Sequence, residues 1–196
     1  MQNTLKVNEI FYSLQGEGPY TGIAAVFLRL AGCSMNCPFC DTRYAFAQGQ
    51  DMTYEEIIKE LEAYPCRNVI ITGGEPTEQN FAPLARRLKQ RGWTVHMESN
   101  GAQDADVSDI DFLVVSPKKH VSQNMLCKAH AIKIVVGQDT DLEELKTYFP
   151  YANTGAAVCL QPQSNKQENI DLCVRLIKQN PFLRLSLQMH KLTNIK

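Results

Sequence analysis

The chain has 196 residues, with 20 basic and 21 acidic side chains and a formal net charge of −1. That length suits one domain, residues 1–196, with a sizeable core, and the charge balance gives no bulk attraction to nucleic acid or an anionic membrane. With no apolar run near the ~20 residues of a membrane span and no signal-peptide stretch in MQNTLKVNEI, a cytoplasmic protein is expected that binds neither membrane nor nucleic acid.

Short β-branched runs alternate with amphipathic stretches along the chain. Strands are expected at Leu5–Tyr12, Ala24–Leu30, Asn68–Thr72, Thr94–Glu98, Phe112–Val115, Ala131–Val136, Ala157–Gln161 and Leu183–Gln188. Runs such as VIIT, FLVV and IKIVV are nearly continuous in apolar residues, as in parallel strands covered by helices. Thr53 and Glu56 form a capping box before a helix over Tyr54–Tyr64. Further helices are expected over Phe81–Arg91, closed by Gly92, over Leu142–Phe149, stopped by Pro150, and over Gln167–Gln179, stopped before Pro181. The βα alternation predicts an α/β fold. A complete eight-unit barrel takes about 250 residues. An open, partial TIM-like barrel of about six parallel strands is therefore expected, with its site at the strand C-termini. Leu14–Gly22, Gly32–Met52 and Ser116–Lys128 show no clear helix and are too long for plain connections, so they are expected to be functional loops.

The chemistry concentrates at the strand ends. Cys33, Cys37 and Cys40 lie within eight residues directly after the strand Ala24–Leu30, with no Cys or His nearby to make a fourth ligand. Structural zinc takes four protein ligands, and a zinc site here would need a distant partner such as His96 or His120. Three cysteines in one tight loop point instead to a 4Fe–4S cluster with one iron open. Cys66, Cys127, Cys159 and Cys173 sit in or beside apolar segments and read as buried thiols behaving as small hydrophobes, with a fourth metal ligand brought close by folding as the alternative for any one of them. Thr72-Gly73-Gly74-Glu75-Pro76 ends the strand VIIT, where paired glycines let a ligand approach the backbone and Glu75 offers a carboxylate to an ammonium group. Arg29 is a charge inside an apolar strand and should reach an anion or the barrel mouth. Asp41 and Thr42 supply the hard oxygens Mg²⁺ prefers. Glu98-Ser99-Asn100-Gly101, Ser116-Pro117-Lys118 and Gln161-Pro162 are polar segments at strand ends. Ser13-Leu14-Gln15-Gly16-Glu17-Gly18 precedes the cluster strand, and Gln188-Met189-His190-Lys191 lies close to the last residue.

The C-x3-C-x2-C loop followed by GGEP resembles the radical S-adenosylmethionine (SAM) superfamily. Together with SxQGEG, the CDT run, SPK and the terminal QxHK, the chain resembles the 7-carboxy-7-deazaguanine synthase family within it. The resemblance implies that Cys33, Cys37 and Cys40 hold the cluster and that Thr42 binds Mg²⁺. It assigns SAM to Gly74, Glu75, Glu98, Asn100, Ser116, Pro117, Lys118 and Gln161, and the substrate to Leu14, Gln15, Gly16, Arg29, Thr72 and Lys196. No side chain is then the catalyst as such, because the radical comes from SAM. The implied reaction is ring contraction of 6-carboxy-5,6,7,8-tetrahydropterin with loss of ammonia, fed one electron at a time by a flavodoxin or ferredoxin. Ser99 stands where the family usually has Thr, and Met189 where a polar residue is common. Two other readings remain at this point: a glycyl-radical-enzyme activase, which would need a groove for a protein substrate, and a non-catalytic Fe–S or zinc-binding interaction protein. Exposed barrel edges make a homodimer the expected assembly.

Overall fold

Each apolar run pairs beside the previous one, and most crossovers between them carry a helix. The computed structural model describes residues 3–196. Strands β1 (Thr4–Leu14), β2 (Ala24–Leu30), β3 (Gln50–Thr53), β4 (Asn68–Gly73), β5 (Thr94–Ser99), β6 (Phe112–Val115), β7 (Ala131–Val136), β8 (Ala157–Pro162) and β9 (Arg184–Leu185) form one sheet. Their order is β3-β1-β2-β4-β5-β6-β7-β8-β9. From β2 through β9 the neighbours run parallel, and β1 runs antiparallel to both β2 and β3. The sheet does not close, as expected for a partial barrel. Helices α1 (Tyr54–Leu61), α2 (Ala82–Gln90), α3 (Gln123–Lys128), α4 (Leu142–Lys146), α5 (Gln167–Gln179) and α6 (Met189–Thr193) complete the chain, with short 3₁₀ turns between. Among the described residues no helix is long and apolar enough to cross a membrane.

Alternation along the strands separates core from site. Val26, Leu28 and Leu30 of β2, Val69 and Ile71 of β4, Val95 and Met97 of β5, and Ile132 and Ile134 of β7 join one apolar cluster. Ile57, Leu61, Leu84, Leu88 and Leu176 cover that face from the helices. The intervening positions carry Arg29, Thr72, Glu98, Lys133 and Gln161 on the opposite face. Arg29 pairs with Thr72 in register, and Val135 with Gln161. Helix α1 starts as its capping box dictates: Glu56 N donates to Thr53 Oγ1 (3.3 Å) and Thr53 N to Glu56 Oε2 (2.7 Å).

One irregularity re-aims β1. Val7 pairs with Leu30, but the next partner of β2, Arg29, faces Glu9, so Asn8 is the extra residue of a β-bulge. Strict alternation would leave Glu9 on the helix face with Leu5 and Val7. The bulge turns Glu9, Phe11 and Ser13 inward instead, and Phe11 stacks on Phe27 with centroids 4.9 Å apart. Ile10 accordingly packs against the helix-side core.

Several expected elements differ from those observed. β3 lies in a segment with no sign of regular structure, and its four residues are held by pairing with β1. α3 occupies the end of Ser116–Lys128; Ser122 caps it by accepting from Asn124 N and Met125 N. The last strand is two residues long: only Arg184 and Leu185 pair with Cys159 and Leu160, and Ser186 N adds one further bond to Leu160 O (2.9 Å). α4 ends at Lys146, and Pro150 opens a 3₁₀ turn rather than stopping the helix.

β2 and β4 meet end to end through glycines. Gly74 N donates to Leu30 O (3.0 Å) and Glu75 N to Gly32 O (2.8 Å). A Cβ on Gly74 would lie 1.9 Å from Gly32 O. Gly74→Ala is therefore expected to cost roughly 3 kcal/mol, at the upper end for overpacking, since backbone must move. Urea unfolding of the metal-free chain checks this; an unchanged midpoint would contradict the packing.

Candidate active site

The cysteine loop sits over the C-terminal ends of β2 and β4, tied to its surroundings mainly through groups other than its thiols. Ser34 donates through N (2.8 Å) and Oγ (2.6 Å) to Glu78 Oε1. Arg43 Nη2 donates to Cys37 O and Pro38 O, both at 3.0 Å, and Gly32 N to Ala45 O (3.0 Å). Cys33, Cys37 and Cys40 are free, half-buried and line one wall of a cleft. Among the described residues no three His, Cys, Asp or Glu side chains are grouped to hold a single metal ion. Neither proposed fourth zinc ligand helps: His96 is buried against Tyr20 (4.7 Å between rings), and His120 is exposed and lines no cleft. Thiols spread along one wall suit a polynuclear cluster, where each binds a different iron.

The cleft extends beyond the cysteines along the strand ends. Gly73, Gly74, Glu75, Ser99, Asn100, Ser116, Lys118 and Gln161 line it. Glu75 is buried, and its carboxylate accepts from Thr77 N (3.1 Å), Thr77 Oγ1 (2.7 Å), Ser99 Oγ (2.7 Å) and Asn100 N (2.7 Å). It bolts the end of β4 to the end of β5, leaving little acceptor capacity for an ammonium group. Lys118 donates to Ser116 Oγ (2.7 Å). Burial, reinforced by repulsion from Lys133, lowers its pKa to about 8. Past β8, Ser164 and Asn165 hold left-handed backbone (φ 57° and 52°). Asn165 offsets that strain by exchanging bonds with Gln188 N (3.1 Å) and O (2.9 Å), which anchors the C-terminal segment.

A second cleft opens on the β1 side. Leu14, Gln15, Gly16, Phe11, Phe27, Arg29, Tyr44, His190 and Lys196 line it. Arg29 donates through Nε to Glu9 Oε1 (2.8 Å), which leaves its two terminal amino groups for a ligand carboxylate. Glu9 also accepts from Tyr44 OH (3.0 Å) and pairs with Lys196 Nζ (2.5 Å). Lys196 O accepts from Ser13 Oγ (2.7 Å), and Lys191 pairs with Asp41 (2.7 Å), so the C-terminal segment straps over this cleft. A Cβ on Gly16 would lie 2.8 Å from His190 Nδ1 and 3.2 Å from His190 N, so a side chain there would have to displace His190.

Glu17, Asp41, Thr42, Thr72, Gly73, Glu98 and Lys133 line both clefts, so the two are one divided site. Its floor is a buried ion triad. Lys133 Nζ lies 2.5 Å from Glu17 Oε2 and 2.8 Å from Glu98 Oε2. Burial alone would lower Lys133 and raise both carboxyls. Attraction to the two carboxylates outweighs this and keeps Lys133 charged, while Lys133 and the Gln188 amide hold Glu17 below the usual carboxylate range. Burial, then repulsion from Glu17, leaves Glu98 raised despite Lys133.

Comparisons with known proteins agree with this geometry. A model of the radical SAM superfamily matches residues 28–121. The crystal structure of QueE from Escherichia coli superposes with a TM-score of 0.84 at 27% identity, over 95% of each chain. The 7-carboxy-7-deazaguanine synthase of Bacteroides thetaiotaomicron is 42% identical over 97% of this chain and 98% of its own. This chain belongs to the 7-carboxy-7-deazaguanine synthase family. The Escherichia coli K12 synthase of that name is 31% identical, over 96% of this chain and 98% of its own.

Every site residue expected from the sequence lines one cleft or the other except Pro117, which is buried behind the wall. Sequence reasoning missed Lys133, Glu17, Glu9, Tyr44 and Gln188 as site residues. Lys133 carried the same signal as Arg29, a charge in an apolar strand, but was absorbed into the run IKIVV. Glu9 gave no signal, because only the bulge turns it inward.

Burial acts to raise Glu9, but its bonds from Lys196, Arg29 and Tyr44 prevail and lower it below 4.5. Its contribution is therefore complete above the unfolded value and disappears as pH falls through the folded one. Glu9→Gln should be less stable than the parent at pH 7, with the gap closing below about pH 4. Urea midpoints of both proteins between pH 3 and 7 check the sign; a gap independent of pH would refute it.

Proposed function

We propose that this protein converts 6-carboxy-5,6,7,8-tetrahydropterin to 7-carboxy-7-deazaguanine with loss of ammonia, using SAM and a 4Fe–4S cluster on Cys33, Cys37 and Cys40, in queuosine-type 7-deazapurine biosynthesis. The observation that carries the reading is the divided cleft: a cysteine-walled half joins an arginine-walled half at Thr42, Thr72 and Gly73. The bound cluster and SAM would supply the radical that starts the rearrangement. Around them, the backbone of Gly73 and Gly74, the Asn100 and Gln161 amides and the Ser116–Lys118 segment would hold SAM, Glu75 acting as the bolt that fixes them. Arg29 would take the substrate carboxylate through its free amino groups. Thr42, 3.5 Å from Cys40 Sγ, would offer its hydroxyl to Mg²⁺ at the junction of the halves, beside the Asp41 carboxylate. Gln15 and Gly16 would close over the ring, with the C-terminal strap excluding water. A cytoplasmic setting with a flavodoxin or ferredoxin reductant, and assembly as a homodimer, complete the proposal.

Anaerobic turnover of reconstituted protein with SAM, dithionite, Mg²⁺ and the pterin, read by mass spectrometry, tests it. The expected product is 7-carboxy-7-deazaguanine, absent with Cys37→Ala. SAM cleavage without that product would sink the substrate assignment, and absence of cleavage the radical chemistry. Arg29→Lys replaces a planar fork by a point charge. Loss of a charged hydrogen bond, about 1.5–3 kcal/mol, should raise KM for the pterin about 10- to 100-fold. A KM within twofold of the parent would remove Arg29 from the carboxylate site.

A further inference from the structure

The triad of Glu17, Lys133 and Glu98 comes from three separate elements: the loop after β1, β7 and β5. We propose that Lys133 is a positioning and specificity residue: shared with the loop-anchoring Glu17, it keeps Glu98 ionised and fixed as the acceptor that reads the amino-substituted pyrimidine edge of the substrate. This inference rests on the functional reading above.

A carboxylate only accepts hydrogen bonds, and a pterin presents its 2-amino group and N3–H side by side as donors. Two carboxylates with one ammonium leave the floor one negative charge in excess, which favours a donor-rich ligand. Among the described residues Glu98 Oε1 is engaged only by a long 3.2 Å bond from Gln15 Nε2, so it has acceptor capacity facing the site. Glu17 is the more heavily engaged of the two: Oε1 accepts from Gln188 (3.0 Å) and Gln161 (3.3 Å), and Oε2 from Lys133. Glu17 thus anchors the SxQGEG loop, and Gly18 N adds a bond to Ser186 Oγ (2.8 Å). Lys118, His190 and Cys159 are the other titratable groups whose charge reaches the triad. None of them lies within hydrogen-bond reach of Glu98 among the described contacts.

Without the ammonium, Glu98 would face Glu17 unscreened in a buried site. It would then be driven to the protonated form, which offers an O–H where the pterin needs an acceptor. A site built on buried polar partners rejects an analogue lacking its donor strongly. The 2-oxo analogue of the substrate places a carbonyl against Glu98 and is the probe for this.

The test is steady-state turnover of pterin and 2-oxo analogue by parent, Lys133→Arg and Lys133→Met, each reconstituted and checked for iron content. The parent should prefer the pterin by at least about 100-fold in kcat/KM. Lys133→Met should raise KM for the pterin about 10- to 100-fold, compress the preference toward unity, and leave KM for SAM within about threefold. Lys133→Arg should recover most of both. Should Lys133→Met fail to hold its cluster, Glu17→Gln with Lys133→Met removes one carboxylate along with the cation, and this pair should retain the preference. A parent that does not convert the pterin would defeat the functional reading and this inference with it. A converting parent whose Lys133→Met form keeps its pterin KM and preference would overturn the inference alone. So would a rise in KM for SAM equal to that for the pterin, which marks a merely structural lysine.

Discussion

The close approach of two backbones, Gly73 and Gly74 against Leu30 and Gly32, is the constraint on which the site depends. Parallel strands end at similar heights, and their loops would normally splay apart. Here the missing Cβ atoms let the exit of β4 hydrogen-bond to the exit of β2. That contact presses the cysteine loop down onto the sheet and fixes its distance from the turn that continues into Glu75. Glu75 then passes the constraint sideways to Ser99 and Asn100 of the next strand end. Three loops that are remote in sequence are thereby set by one seam.

A second constraint is electrostatic. Glu9, Arg29, Glu98 and Lys133 project from the face of the sheet that the helices leave uncovered, and Glu17 and Asp41 come from flanking loops to meet charges there. Each ion buried alone would be costly, and each is retained here with a partner. The pairs divide the labour. Glu9 orients Arg29 while leaving its amino groups open, whereas Lys133 organises two carboxylates. The same pairs tie in the C-terminal strap, through Lys191 to Asp41 and Lys196 to Glu9. Closure of the substrate side and arrangement of its charges are therefore one event.

Much of this was legible in the chain itself. The seven longer inner strands announce themselves because apolar runs of four to eight residues bounded by turns leave few alternatives. α1 announces itself by its capping box. Elements that fail locally were invisible: β3 is four polar or flexible residues whose conformation comes from pairing with β1, and α3 is six residues dependent on the Ser122 cap and on burying Met125 and Leu126. The cysteine loop, GGEP and Arg29 stood out as chemistry that a core has no use for. Lys133 did not, since one lysine in IKIVV costs the strand pattern little.

By itself the sequence determined which face of each strand is apolar, where the loops at the strand ends begin, and which chemistry those loops carry. Those properties follow from side-chain periodicity and from residue types whose spacing is local. Only the tertiary structure decided that Glu9 faces the site, that Glu75 is a bolt rather than an open carboxylate, and that Glu17 and Glu98 share one lysine. The physical reason is the same in each case. A bulge shifts facing by one residue, and a buried charge takes its role from whichever distant partner the folded sheet brings within 3 Å.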